Sequence, residues 1–201
     1  MSRWIEAERI GLEKMKEILA DDLQSIPPYP DVVGDRRLIR FLRGRHCDVD
    51  AAVKQYRDFL KWWKNSNVEE VRNNILYGGL NHPFKFPMGE LIIGFVPQIV
   101  LAPRSESYKG HVVNLDCMGF DANALFAACT EDQILKFIIY TLEYRSLILE
   151  QLGHEREQEY LRLHPDPSER VDGYGTIPMI CAIKDLKGMA FIQSTLLHNA
   201  Y

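Results

Sequence analysis

The chain has 201 residues, 46% hydrophobic and 26% charged, with a formal net charge of −4, which is the composition of a globular protein with one medium domain or a small domain joined to a larger one. No stretch approaches the roughly 18 unbroken apolar residues of a membrane span, and the charged opening MSRWIEAERIGLEKMKEIL has no apolar core of a secretory signal. Cys47, Cys117, Cys129 and Cys181 are scattered without a CxxC pair, as core thiols in a reducing compartment would be, so a cytoplasmic location is expected.

The first segment predicts an amphipathic helix, with Ile10, Met15, Ile18 and Leu19 near helical spacing. It ends before SIPPYPDVVG, where Pro27, Pro28 and Pro30 exclude an ordinary helix. Residues 35–64, DRRLIRFLRGRHCDVDAAVKQYRDFLKWWK, hold nine Lys or Arg against four Asp or Glu. This basic island in an acidic chain points to a local electrostatic role rather than general polyanion binding. Leu38, Phe41 and Leu42 form the apolar stripe of a second helix, with Arg36, Arg37, Arg40 and Arg43 on its flanks and back and Gly44 weakening its end. A third helix starts at an Asp48 cap and turns Val49, Ala52, Val53, Tyr56, Leu60 and Trp63 to one face. Together these helices predict a bundle over residues 1 to about 75.

Beyond NHPFKFPMG the pattern changes. ELIIGFVPQIVLA (90–102) reads as a helix end followed by strand, broken at Pro97, and HVVNLDCMG (111–119) as a short strand closed by Gly119. TEDQILKFIIYTLEYRSLILEQLG predicts a long helix capped by Thr130 and ended by Gly153, with an apolar face containing Ile134, Phe137, Ile138, Thr141, Leu142, Arg145 and Leu149. HEREQEYLRLHPDPSERVDGYG reads as loop or frayed helix extension, IPMICAIKDLKG as a buried strand running to a turn, and MAFIQSTLLHNAY as the start of another helix. Strand, long helix, strand, helix predicts an α/β fold with a parallel sheet, the long helix serving as crossover.

Motifs for chemistry are missing from the sequence. Cys47 is followed six positions later by Val53 rather than the Arg of a phosphatase loop, and HEREQ lacks the second histidine of a zinc helix. GxxxxGK[ST], GxGxxG and GxSxG do not occur, and the six histidines show no metal-ligand spacing. Asp116 and Asp185, at strand ends, read as loop caps rather than catalytic carboxylates. Nucleic acid is not an expected partner: read as a helix-turn-helix, the second helix would open with acids where phosphates must sit.

The stretch 35–64 resembles the N-terminal helical signature of the CRAL-TRIO family through Asp35, Arg40, Phe41, Leu42, Arg43, Asp48, Val49, Ala52 and Trp62. KGHVVNLDCMG resembles that family's Gly-Arg-Pro-Val strand, YTLEY its Trp-Glu-Tyr helix segment, and ICAIKDLKGM its strand ending Asp-Leu-Lys-Gly. The three motifs occur in the family's order. What the resemblance implies is a helical N-terminal domain (1–77) against the first half of an α/β lipid-binding domain (78–201), with no enzymatic chemistry and no cofactor other than a bound lipid.

On that resemblance the expected function is binding, and intermembrane transfer, of one hydrophobic lipid such as a phosphoinositide or other phospholipid. The expected pocket residues are Asn114, Asp116, Phe137, Tyr140, Tyr144, Ile183, Ala190 and Ile192. Arg36, Arg37, Arg40 and Arg43 are the candidates for transient docking to an anionic membrane, which would make the protein a peripheral one. Phosphatidylcholine-binding members carry small hydroxyl residues after the Asp-Leu-Lys-Gly turn, where this chain has Ala190 and Ile192, and an aromatic residue where it has Asn114. A less polar ligand, or a different phosphoinositide arrangement, is therefore expected. Family members continue past the point corresponding to Tyr201, so a C-terminally truncated domain is expected, with self-association through the surface this exposes. The alternative is a protein-interaction or regulatory module without transfer activity.

Overall fold

The computed structural model describes residues 2–100 and 111–188. Among them the helices are α1 (Glu6–Ile18), α2 (Ala20–Gln24), α3 (Pro30–Val33), α4 (Asp35–Gly44), α5 (Val49–Asn65), α6 (Val68–Leu76), α7 (Gly89–Phe95), α8 (Ala122–Ala128) and α9 (Glu131–Leu163). The strands are β1 (Gln98–Val100), β2 (Val112–Cys117) and β3 (Ile180–Asp185). The chain divides into two compact units, Met1–Glu69 with Arg145–Pro178, and Glu70–Tyr144 with Met179–Tyr201. These units do not follow the 1–77 and 78–201 division, because the second half of α9 and the segment after it complete the first unit.

In the first unit, α1 buries Gly11, Leu12 and Met15, and Leu19 follows directly behind it. Ile10 and Ile18, expected on that face, are exposed; the small Gly11 lets Leu42 of α4 approach, and this close approach sets the buried side. Pro30 opens α3 at its first turn, where a missing N–H costs nothing. α4 buries Leu38, Ile39 and Leu42. It ends at Gly44, and the positive φ values that follow fall on His46 (52°) and Cys47 (64°), where the Cys47 N–H closes on the Leu42 carbonyl at 2.8 Å. The Asp48 cap forms as expected, its Oδ1 accepting from the Ala51 N–H at 3.0 Å. α5 buries Ala52, Val53, Tyr56, Leu60 and Trp63, five of the six residues expected on its core face.

α9 opens with reciprocal capping: the Gln133 N–H donates to Thr130 Oγ1 (3.3 Å) and the Thr130 N–H donates to Gln133 Oε1 (2.9 Å). Gly153 does not end it. The helix runs ten residues further, into the segment that reads as loop or frayed helix extension, and a 3-10 turn follows at Pro167–Glu169. Gly153 serves close packing instead. A Cβ there would stand 3.0 Å from Arg36 Nε, 3.1 Å from Arg36 Cδ and 3.2 Å from the Pro178 ring. The N-terminus is tied down in the same unit, where the Gly173 and Gly175 N–H groups donate to the Ser2 and Arg3 carbonyls at 3.0 and 2.8 Å.

In the second unit the three strands form one sheet in the order β1-β2-β3. β2 and β3 are parallel, in register from Val112 opposite Ile180 to Cys117 opposite Asp185, and β1 is antiparallel to β2. The parallel pair agrees with the crossover expected of α9 and gives the α/β class. β3 departs from expectation: Ile183 is 51% exposed, and from Cys181 to Asp185 the whole strand is exposed. Its apolar composition reads as a buried strand, but no described element covers it. Asp185 caps the turn beyond, accepting from the Lys187 N–H at 2.9 Å.

Candidate functional site

Three of the expected pocket residues come together. Phe137, Tyr140 and Tyr144 lie on one face of α9, and their rings surround Phe86 with centroids at 6.2, 5.4 and 5.6 Å. The Tyr140 hydroxyl accepts from Asn74 Nδ2 at 3.0 Å, which gives this buried polar tip a partner, whereas Tyr144 is half-buried. Phe86 is the residue that sequence reasoning missed. The only signal for it is an aromatic residue between two prolines in HPFKFP, a segment with no periodicity to score.

The same half of α9 carries a second apolar face. Leu135, Ile138 and Leu142 are 52%, 45% and 48% exposed and lie roughly opposite the aromatic set. A helix apolar on both sides is built to be covered on both sides. The expected single face, which mixed Phe137 with Ile138 and Leu142, is thus two faces with different burial.

Asn114 and Asp116 are two apart on β2 and share a side of the sheet. Asn114 is 2% exposed, and its Nδ2 donates to Asp116 Oδ1. That bond fixes the amide orientation and leaves Asn114 Oδ1 as the acceptor, buried without a donor. Ile183 stands on exposed β3. Ala190 and Ile192 lie outside the described residues.

The four arginines of α4 belong to the first unit and differ sharply. Arg36 is buried, with its guanidinium on Glu150, Glu157 and the Gly153 carbonyl. Arg3 also donates to Glu157, at 2.8 Å, and Asp35 bridges Arg3 (3.7 Å) to Lys16 (2.7 Å). Arg37 donates to the Asp31 carbonyl and to Ser146 Oγ (2.6 Å), and covers the Phe59 ring at 4.9 Å. Arg40 donates to the Pro178 carbonyl at 3.0 Å. Burial, and then the neighbouring Arg37 charge, push its guanidinium down to about 10, so it is still a cation near neutrality. Arg43 is the exposed member and pairs with Glu8 at 2.6 Å. The expected wet flank is therefore largely interior: three of the four guanidinium groups hold α4 to α3, α9 or the segment after α9.

The described helices include none long and apolar enough to cross a membrane, and the described residues include no cluster of three or more metal-ligating side chains. No family model matches the chain. It is similar to the Sec14 cytosolic factor of Schizosaccharomyces pombe, with 24% identity over 174 residues, which is 86% of this chain and 50% of that protein. The chain thus spans about half the length of the curated relative it matches. The similarity takes in sequence from both compact units.

Proposed function

We propose that this chain is a CRAL-TRIO-type lipid-binding module that holds one hydrophobic lipid without covalent chemistry. The observation that carries the reading is the similarity to a Sec14 factor across 86% of the chain, in the order of the three motifs that resemble the family. The second unit supplies surfaces of the kind a lipid needs, an uncovered apolar face on α9 and an apolar strand open to solvent. A phosphoinositide or other phospholipid is the proposed ligand class, and exchange between membranes the proposed use, at the cytoplasmic face of a membrane visited transiently. Arg36, Arg37 and Arg40 are tied up within the first unit, so of the four arginines Arg43 is the one proposed to meet anionic headgroups.

Native mass spectrometry of the purified 201-residue chain tests this, before and after organic extraction. An added mass of a few hundred daltons that extraction removes is the expected result. A bare chain of 23.3 kDa, or a lipid-free dimer, would instead give the lead to the protein-interaction reading, with Leu135, Ile138 and Leu142 as the surface for self-association.

A further inference from the structure

We infer that a second copy of this chain pairs with β3 along its outer edge, antiparallel and centred on Ala182. Among the described residues β3 is an edge strand of the sheet, and it is exposed from Cys181 to Asp185. Along a strand the backbone N–H and C=O groups point to alternate sides, residue by residue. The Val112 N–H donates to the Met179 carbonyl at 3.0 Å, and the Met118 N–H to the Asp185 carbonyl at 2.8 Å. The odd-numbered residues therefore turn their backbone groups to β2, and Ile180, Ala182 and Lys184 turn theirs to the open side. Proteins normally blunt such an edge with a proline, a bulge or a covering segment. β3 has no proline, and its register with β2 runs unbroken from Ile180 to Asp185. The chain leaving β3 does not turn along the edge either. Lys187 and Gly188 lean over the end of β2, so closely that a Cβ on Gly119 would strike the Lys187 carbonyl.

The edge is complementary to itself. A closed two-fold pair runs the two strands antiparallel, which sets outward residues opposite outward residues, each pair exchanging two hydrogen bonds. Centred on Ala182, that residue faces the partner's Ala182, and Ile180 faces the partner's Lys184. All three outward residues of both copies are then used. Between them Cys181 faces the partner's Ile183, an apolar pair made twice by the symmetry, and no like charges meet. Other registers lose contacts. Sliding one way sets Lys184 opposite the partner's Pro178, which has no N–H to give. Sliding the other way sets Ile180 opposite the partner's Leu186, beyond the end of the strand, and then Lys184 opposite the partner's Lys184. Six residues bury far less than a permanent interface does, so the pairing is weak and reversible.

The test places a thiol opposite Cys181. In this register Cys181 and position 183 of the partner form a non-hydrogen-bonded pair with Cα atoms about 4.5 Å apart, within disulfide reach. The full chain carrying Ile183→Cys, treated with diamide, should give a covalent dimer at least about tenfold faster than the wild type, because pairing raises the effective thiol concentration. Peptide mapping should join Cys181 to the introduced thiol. Adding Ala182→Pro should return the rate to the wild-type level. The ring removes an outward N–H and fills the edge, while the ladder to β2, which uses the odd-numbered residues, is spared. Sedimentation of the wild type across a concentration series should show a reversible monomer–dimer equilibrium, and it carries the test if the proline variant does not fold. Linkage no faster than in the wild type, a link from Cys181 to Cys181, or a rate unchanged in the folded Ala182→Pro protein overturns the inference. A wild-type dimer whose Ile183→Cys form does not link overturns it in favour of Leu135, Ile138 and Leu142 on α9. A chain that stays monomeric throughout the series overturns it too and leaves the edge to a strand from another protein. Each of these results leaves the lipid-binding reading standing.

Discussion

Arg36 and Arg40 lie one turn apart on α4, and replacing each by methionine should have very unequal consequences. Arg36 holds two carboxylates, Glu150 and Glu157, out of water. Arg36→Met leaves Glu150 uncompensated and Glu157 with Arg3 alone, and loss of one partner from a buried ionic cluster costs about 3–5 kcal/mol. Arg40 is a partly buried cation beside another cation, bonded to a single carbonyl. Arg40→Met removes an under-solvated charge and exposes one carbonyl to a missing partner, effects of about 1 kcal/mol each and of opposite sign. Urea unfolding followed by circular dichroism should place Arg36→Met several kcal/mol below the wild type and Arg40→Met within about 1 kcal/mol of it. The arginines were legible in the sequence as a cluster, and so was the apolar seam between them. Their partners were not. Glu150 and Glu157 are more than a hundred positions away, on a stretch where an internal glycine mimics a helix end.

Periodicity at the level of elements was read well wherever one face was buried and the other wet. α5 is the clearest example: its cap and all but one of its expected core residues stand where the spacing puts them. α9 was read less well because its first half is apolar around most of its circumference, and a pattern with no polar side cannot tell one face from two. The two faces should respond differently to substitution. Phe137 packs against Phe86, and Phe137→Ala should cost about 3–5 kcal/mol through the cavity it leaves. Leu142→Ser, on the exposed face, should change stability by no more than about 0.5 kcal/mol. A drop of several kcal/mol for Leu142→Ser would mean that this face is covered in solution. β3 misled for a related reason: a run of Ile, Cys, Ala and Ile reads as buried by composition, whereas its exposure depends on neighbours that composition does not encode.

The largest gap between sequence and structure is at the scale of the whole molecule, in where the first unit ends. Local patterns predicted a compact bundle over residues 1 to about 75. In the structure that bundle is completed by Arg145–Pro178, which supplies Glu150 and Glu157 to Arg36, Ser146 to Arg37 and the Pro178 carbonyl to Arg40. A fragment of residues 1–77 lacks all of these. It should therefore show helical circular dichroism without a cooperative melt, whereas the 201-residue chain should melt cooperatively. A sharp transition in the short fragment would show that the bundle stands without the later segment.

The same arrangement sets a schedule for the chain as it is made. The ribosome finishes Glu69 a full 109 residues before it reaches Pro178, and chains grow at about 5–20 residues per second. For roughly 5–20 s, then, the nascent bundle has Arg36 without its carboxylates and Ser2 and Arg3 without the glycine-rich turn that later clasps them. During that interval the basic segment is open to solvent and to anything anionic nearby. The cluster that ends as an interior anchor thus begins its life as a charged surface, and the early helices depend on later sequence to close it.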